Sequence, residues 1–506
     1  MHNIEPAPGR VAATCVRVRV SQHRRAKALL LTLTLLAPAL AWAQESRDAS
    51  GWDSELTLTQ PVDRNPDPNI LEIDLKARLA DVTIGGTTVK AWTYDGLLPG
   101  PLIRAKVGDR LIVHFTNELP TPTTVHWHGV RVPIEMDGVP GISQPEVKTG
   151  EAFTYDFVLR DAGLYWYHPH VMSAAQVGYG LYGALLVDDP SDPVGITDQL
   201  TLVLSDIGFD AKGVLEPADS GGSAGNVFGR EGSTVLVNGR SNPRLHARAG
   251  APQRWRIVNT AKSRYFLLDL QGQAFTIIGT DGGLQERSVT TQQLLITPGE
   301  RVDVLLAPAG APGSELPLRS MLYNRGYGSV EFRAVETMLT IAFSQEPALA
   351  PRPMPEVARQ ILPPVVADAT KVDLMLTLPP VDSRGHSEFR VNGLPFWKAV
   401  PYRAKLGETQ VWVINNDTQW DHPFHIHGYF FMQLDDRNQP VRPLAWKDTV
   451  NLPMKATTRL LVAFDERPGT WMFHCHILDH AEAGLMGTVH VGPGEPAAHH
   501  EHHAAP

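Results

Sequence analysis

Cysteine is almost missing from this chain: 506 residues hold two, Cys15 and Cys475. A disulfide-stapled scaffold is thereby excluded, and so is a zinc site built from CxxC thiolate pairs. Charge is modest, at 20% of residues with a formal net of −9, which excludes wholesale binding to nucleic acid. The 11 methionines are scattered, with no Met-rich insertion near the C-terminal third. What is present is ordinary globular material, 43% hydrophobic and 8% aromatic. That rules out disordered, collagenous and multi-span membrane classes. Gly 43 and Pro 41 suit many short strands joined by turns, and the length allows about three domains.

Residues 1–43 read as a signal peptide. Arg17, Arg19, Arg24, Arg25 and Lys27 precede an apolar run from Ala28 to Leu40, and Ala41-Trp42-Ala43 fits an A-x-A cleavage site. The run is short for a bilayer span, so the mature form is expected to lack a stable membrane span. A retained anchor is the competing reading, and Arg24-Arg25 hints at twin-arginine export. Either export route places the protein in the periplasm or outside the cell. Cleavage removes Cys15, leaving one cysteine in an oxidising compartment, which is odd for a structural role.

The remaining chain repeats one unit three times. DGLLPGPLIRAKVGDRLIVHFTN ends at Asn117, VNGRSNPRLHARAGAPQRWRIVN at Asn259, and VNGLPFWKAVPYRAKLGETQVWVINN at Asn416. Each is a turn, a strand, a Gly-centred turn and a second alternating strand. The fold class expected is all-β, three consecutive Greek-key β-sandwich domains over 53–190, 198–345 and 369–493. Glu346 to Pro364 is a Pro-rich linker, and the His-rich tail 494–506 has no core-forming pattern.

Ten of the 20 histidines fall in four clusters: His126-Trp127-His128, His168-Pro169-His170, His422-Pro423-Phe424-His425-Ile426-His427, and His474-Cys475-His476 with His480 beyond. Residues i and i+2 of a strand share a face, so each His-x-His aims two imidazoles one way. One such pair is more often surface or core histidine than ligand; four pairs with a cysteine inside one reverse those odds. Asn117 to His126 and Asn416 to His425 are both nine residues, which puts HWHG and HIHG on the same strand of domains one and three. A metal cluster is therefore expected across a pseudo-symmetric interface between those domains, with domain two structural. Thr123 and Pro169 stand in domain one where domain three has His422 and Cys475, so a thiolate site is expected only in domain three. One thiolate with two imidazoles, Cys475, His422 and His480, is a blue-copper ligand set, and the other eight histidines suit copper. Zinc, the bland alternative, gives no reason for His-Cys-His, whose alternation links a one-electron site to a multi-metal site. That arrangement suits reduction of dioxygen to water.

HWHG, HPH, HPFHIHG and HCHILDHAEAG resemble, in order, the four signatures of the multicopper oxidases, across essentially the whole mature chain and closest to the three-domain bacterial laccases. The resemblance implies cupredoxin-like domains and four copper ions. His422, Cys475 and His480 resemble the type 1 ligands, and His126 and His425 the type 2 pair. His128, His168, His170, His427, His474 and His476 resemble the binuclear type 3 set. Asp137, in MDGVPGISQ, resembles the family acid that helps protonate reduced oxygen; its bland reading is a turn residue before Gly138. Where many bacterial members carry an acid directly after the second type 1 histidine, this chain has Ala481, flanked by Asp479 two positions earlier and Glu482. The family's axial position counts to Leu485, expected to be non-ligating, with Met486 facing away; a local bulge bringing Met486 to the copper is the alternative. The activity implied is laccase-like oxidation of phenols or aromatic amines coupled to dioxygen reduction, by a monomer. A copper-tolerance oxidase acting on cuprous or other metal ions, and a non-enzymatic copper-binding protein, are the alternatives.

Overall fold

The computed structural model describes residues 55–196, 198–327, 334–380 and 388–496. The signal-peptide segment and most of the His-rich tail lie outside them. Among the described residues no helix is long and apolar enough to cross a membrane.

Six sheets group along the chain into three pairs. The first eight strands are β1 (Ile70–Ile84), β2 (Thr87–Tyr94), β3 (Gly100–Lys106), β4 (Arg110–Asn117), β5 (His126–His128), β6 (Ala152–Val158), β7 (Gly163–His168) and β8 (Gly183–Asp188). They form sheets β2-β1-β4-β6 and β3-β8-β7-β5. The second group is β9 (Gln199–Ile207), β10 (Thr234–Val237), β11 (Arg244–Ala247), β12 (Gln253–Asn259), β13 (Phe266–Asp269), β14 (Phe275–Thr280), β15 (Gly283–Thr291), β16 (Gln293–Ile296), β17 (Arg301–Leu306), β18 (Glu315–Met321) and β19 (Glu336–Phe343). Its sheets run β10-β9-β12-β17-β14-β15 and β11-β19-β18-β13-β16. The third is β20 (Thr370–Thr377), β21 (Arg390–Val391), β22 (Tyr402–Ala404), β23 (Thr409–Asn416), β24 (His422–Ile426), β25 (Phe430–Leu434), β26 (Thr449–Leu452), β27 (Thr457–Ala463), β28 (Gly469–Cys475) and β29 (Met486–Val491). These make β21-β20-β23-β27-β25 and β22-β29-β28-β24-β26.

The threefold repeat extends to hydrogen bonds. In each domain the strand ending in the repeat asparagine runs parallel to the domain's first strand: β4 with β1, β12 with β9, β23 with β20. Each asparagine is buried. Its Oδ1 accepts the amide two residues on, from Leu119, Ala261 or Thr418. Its Nδ2 donates to a nearby loop carbonyl, of Thr121, Arg264 or Trp420, and to one across the sandwich, of Val147, Ile296 or Leu452. This side chain satisfies a loop that the ladder leaves unpaired, and that loop leads into the histidine strand in domains one and three.

Strand alternation then sorts the ligand candidates. In β5, Trp127 enters the first core while His126 and His128 point away from it. In β24, Phe424 and Ile426 enter the third core, which His422 shares as the residue two before Phe424, whereas His425 and His427 face outward. Cys475 belongs to that same core, so His474 and His476 point outward. The register places Phe424 opposite Cys475 and His425 opposite His474.

Candidate metal centre

Two clusters result, one inside the third sandwich and one between sandwiches. Inside, Cys475 Sγ lies 3.4 Å from His422 Nδ1 and 3.7 Å from His480 Nδ1, and the two nitrogens are 3.1 Å apart. Three ligands set around one ion, at about 2.0 Å for nitrogen and 2.3 Å for sulfur, stand roughly 3.5 Å apart. The triangle therefore has the size of a trigonal metal site. Each corner is held from outside: Ile477 N donates to Sγ at 3.4 Å, His422 Nε2 meets Thr418 Oγ1 at 2.7 Å, and His480 Nε2 donates to Val227 O at 2.9 Å. Phe389 packs on both imidazoles, with centroids 5.5 and 4.5 Å away. Burial pushes the Cys475 thiol well up, so a thiolate here calls for a bound cation.

Leu485 and Met486 face different ways. Leu485 lines a small void with His422, Cys475 and Phe473, and its carbonyl accepts Cys475 N at 3.0 Å. Met486 pairs with His474 in the sheet and packs with Val139, Phe396 and Met472.

Between domains one and three, eight imidazoles interleave. His126 stacks on His427 with centroids 3.8 Å apart, and His128 on His425 at 3.7 Å, so the two His-x-His pairs cross each other. His168 lies 5.4 Å from His476, and His170 lies 5.2 Å from His474 and 4.9 Å from His427. His427 Nε2 and His474 Nε2 aim at each other across 3.2 Å. The outer nitrogens are anchored: His126 Nδ1 on Asp137 O, His427 Nδ1 on Asp137 Oδ2, His425 Nδ1 on Asp448 O, His168 Nδ1 on Pro169 O, His474 Nδ1 on Cys475 O. The inner ones are orphans. His126, His168, His170 and His425 leave Nε2 without a partner, His128 leaves Nδ1, and His476 leaves both. Buried nitrogens are rarely left so, and their convergence on shared points fits metal ions. Burial pulls His128, His168, His170, His425, His474 and His476 below the ordinary imidazole pKa, and His427 and His422 to about 3, which favours the neutral form that ligation requires.

This arrangement decides the family. The chain belongs to the multicopper oxidases. Family models described as Multicopper oxidase match residues 77–192, 198–314 and 368–495. It is 30% identical to Multicopper oxidase MmcO of Mycobacterium tuberculosis, covering 89% of each chain. It is 26% identical to a laccase of Bacillus subtilis, covering 85% of this chain and 96% of that one. Among solved structures it resembles a Campylobacter jejuni multicopper oxidase described as a metallo-oxidase, with TM-score 0.75 and 30% identity over 86% of this chain and 94% of that one. Four coppers, one type 1, one type 2 and a type 3 pair, are the norm of this family, and the donor set fits them.

Acids near the multicopper centre divide sharply. Asp137 is buried between His126 and His427; burial alone raises a carboxyl, but the two imidazoles hold it well below the ordinary range. Asp479 is taken up by Arg230 and Ser263, and Glu482 by Ala174 N and Ser173 of the short helix Ser173–Gly178. A third carboxylate, Asp448, unsuspected from the sequence, bonds His128 Nε2 at 3.2 Å. No spacing flags it; only the pairing of β24 with β26, His425 opposite Thr449, brings it there. In domain one the position of His422 is filled by Thr123, whose hydroxyl donates to Gln176 at 2.7 Å.

Proposed function

We propose that this multicopper oxidase is laccase-like, taking single electrons from phenols or aromatic amines and reducing dioxygen to water. His422, Cys475 and His480 would hold the type 1 copper, with the non-ligating Leu485 side chain lining the same void. His126 and His425 hold the type 2 ion. His128, His168, His170, His427, His474 and His476 hold the type 3 pair. Copper bound there supplies one-electron acceptance at the thiolate and four-electron chemistry at the cluster.

The chain supplies the rest. Cys475 is covalently joined to His474 and His476, so the peptide itself is the shortest path between the two ligand sets. Asp137 fixes His126 and His427 and stays a carboxylate, and its Oδ1, which takes no well-formed hydrogen bond, offers a hydrogen-bond acceptor that can orient a proton donor at the cluster edge. The aromatic substrate class rests on one observation. A cavity of about 320 Å³ is walled by Tyr265, Tyr323, Tyr327, Arg264 and Arg325. Tyr323 stacks on Tyr265 with centroids 5.5 Å apart, and its hydroxyl donates to Asp421, the residue before His422, at 2.7 Å. The N-terminal segment supports export to the periplasm or beyond, with the chain working as a monomer. The metallo-oxidase relative favours a second reading, oxidation of cuprous or ferrous ion. Oxygen uptake with a phenol, with cuprous ion and with ferrous ion decides between them. Fastest turnover is expected on the phenol; turnover on metal ions alone refutes the laccase reading, and no turnover on any leaves a copper-binding protein.

A further inference from the structure

Among the described residues the second domain contributes no imidazole or thiolate to either cluster, yet one of its side chains sits where three domains meet. Arg301, the first residue of β17, is 2% exposed. Its Nε donates to Leu164 O at 3.0 Å, on the strand that carries His168. Nη1 donates to Gly299 O at 3.0 Å and Asp448 Oδ1 at 2.7 Å; Nη2 donates to Asp281 O at 3.2 Å and to Asp448 Oδ2. All five guanidinium N–H groups are used, spread over domains one, two and three.

Asp448 transmits the constraint. Its Oδ1 also receives His128 Nε2 and Thr449 Oγ1, at 3.2 and 2.8 Å, and its carbonyl holds His425 Nδ1 at 2.9 Å. One ring from each ligating domain thus hangs on one residue. With Nε2 held, His128 turns Nδ1 inward, the opposite of His126, His168, His170 and His425. Two glycines make room for this. A Cβ at Gly129 collides with Arg301 Nη2, and one at Gly299 comes within 3.0 Å of His128 and His476 ring carbons.

We propose that Arg301 is the positioning residue of the histidine cluster, a clamp through which the second domain sets the orientation of His128 and, by Asp448, of His425. This rests on the copper assignment above. The rival account is an interdomain ion pair that only stabilises the fold, since breaking any such buried pair leaves an uncompensated charge and destabilises the whole chain. Lysine cannot replace the clamp, since it offers three donors on a point charge in place of a planar fork.

Three full-length variants separate the accounts: Arg301→Lys, the charge-neutral double variant Arg301→Met/Asp448→Asn, and Arg254→Met. The last breaks a part-buried ion pair with Asp303, two residues along β17, and with Asp192, and serves as the structural control. Copper per chain, the blue absorbance, the type 2 EPR signal and copper release to a chelator are measured. Both Arg301 variants are expected to keep the blue colour while losing cluster copper about 10–100-fold more readily. Arg254→Met is expected to melt earlier with unchanged copper ratios. Equal loss of all coppers, or cluster copper held as in the wild type in both Arg301 variants, overturns the proposal. Should Arg301→Lys not fold, the double variant, which leaves no charge unpaired, decides alone. A wild-type chain that does not load four coppers refutes the underlying assignment instead, so the two failures are distinct.

Discussion

Removing copper should make this protein acid-labile in a narrow pH window. Eight imidazoles, of His128, His168, His422, His425, His427, His474, His476 and His480, are 0–1% exposed, and burial holds each below the ordinary value of 6.5. In the unfolded chain the same rings protonate near 6.5. Between that value and the depressed folded one, the unfolded state binds more protons, so stability is complete above 6.5 and is lost as pH falls. One pH unit below 6.5, each ring that stays neutral costs about 1.4 kcal/mol, and the seven held furthest below that value, all but His425, cost about 10 kcal/mol. A whole protein is stable by about 5–15 kcal/mol, so the metal-free chain should open at the domain-one/domain-three contact, or unfold, between about pH 6 and 5. Bound copper occupies the same lone pairs and should move the transition down by at least about one pH unit. Acid titration of stripped and reconstituted protein, followed by tryptophan fluorescence and near-UV circular dichroism, measures both midpoints. The pH dependence of the melting temperature gives the protons taken up. A shared midpoint, or an uptake of only one or two protons, refutes the reasoning.

Other outcomes follow from the same geometry. Cys475→Ser should abolish the blue absorbance and phenol oxidation while the cluster coppers stay bound; a mutant that remains blue rules out this thiolate. Replacing His168 or His170 with Gln should leave the type 1 copper reducible by substrate but slow its reoxidation by oxygen at least about 100-fold, seen by stopped-flow at the blue band. Leu485→Met should lower the type 1 potential, because a thioether stabilises the cupric form, and should slow oxidation of poorly reducing phenols. If redox titration instead shows Met486→Leu raising the potential and Leu485→Met leaving it alone, the axial register is wrong.

What could be read from sequence is what short periodicity controls. The repeat asparagines, the outward His-x-His pairs and the opposite sense of Cys475 between His474 and His476 all follow from a two-residue alternation on strands. The ligand roles and the counting to Leu485 are what the family likeness implies. Asp448 and Arg301 were not legible, since their partners are fixed by strand pairing and by contacts between distant domains. Asp479 and Glu482 flank His480 and Ala481 in sequence, but their side chains are engaged by Arg230, Ser263 and the Ser173–Gly178 helix. The short helix Gly222–Phe228, whose Val227 carbonyl caps His480, lies in a Gly- and Ser-rich stretch without apolar periodicity.

The cluster's histidines come from the first and last sandwiches, with a complete domain between them in the chain. Folded alone, the first sandwich would face its four imidazoles outward with no partner for them. Only when the last strands are made and docked can the opposing four arrive, and the cysteine that feeds them arrives in the same few residues. Chain completeness thus becomes a licence for oxygen chemistry. A prematurely ended product lacks the thiolate and half the cluster together, so an unfinished chain has neither the means to draw electrons nor a place to release them half-way onto oxygen.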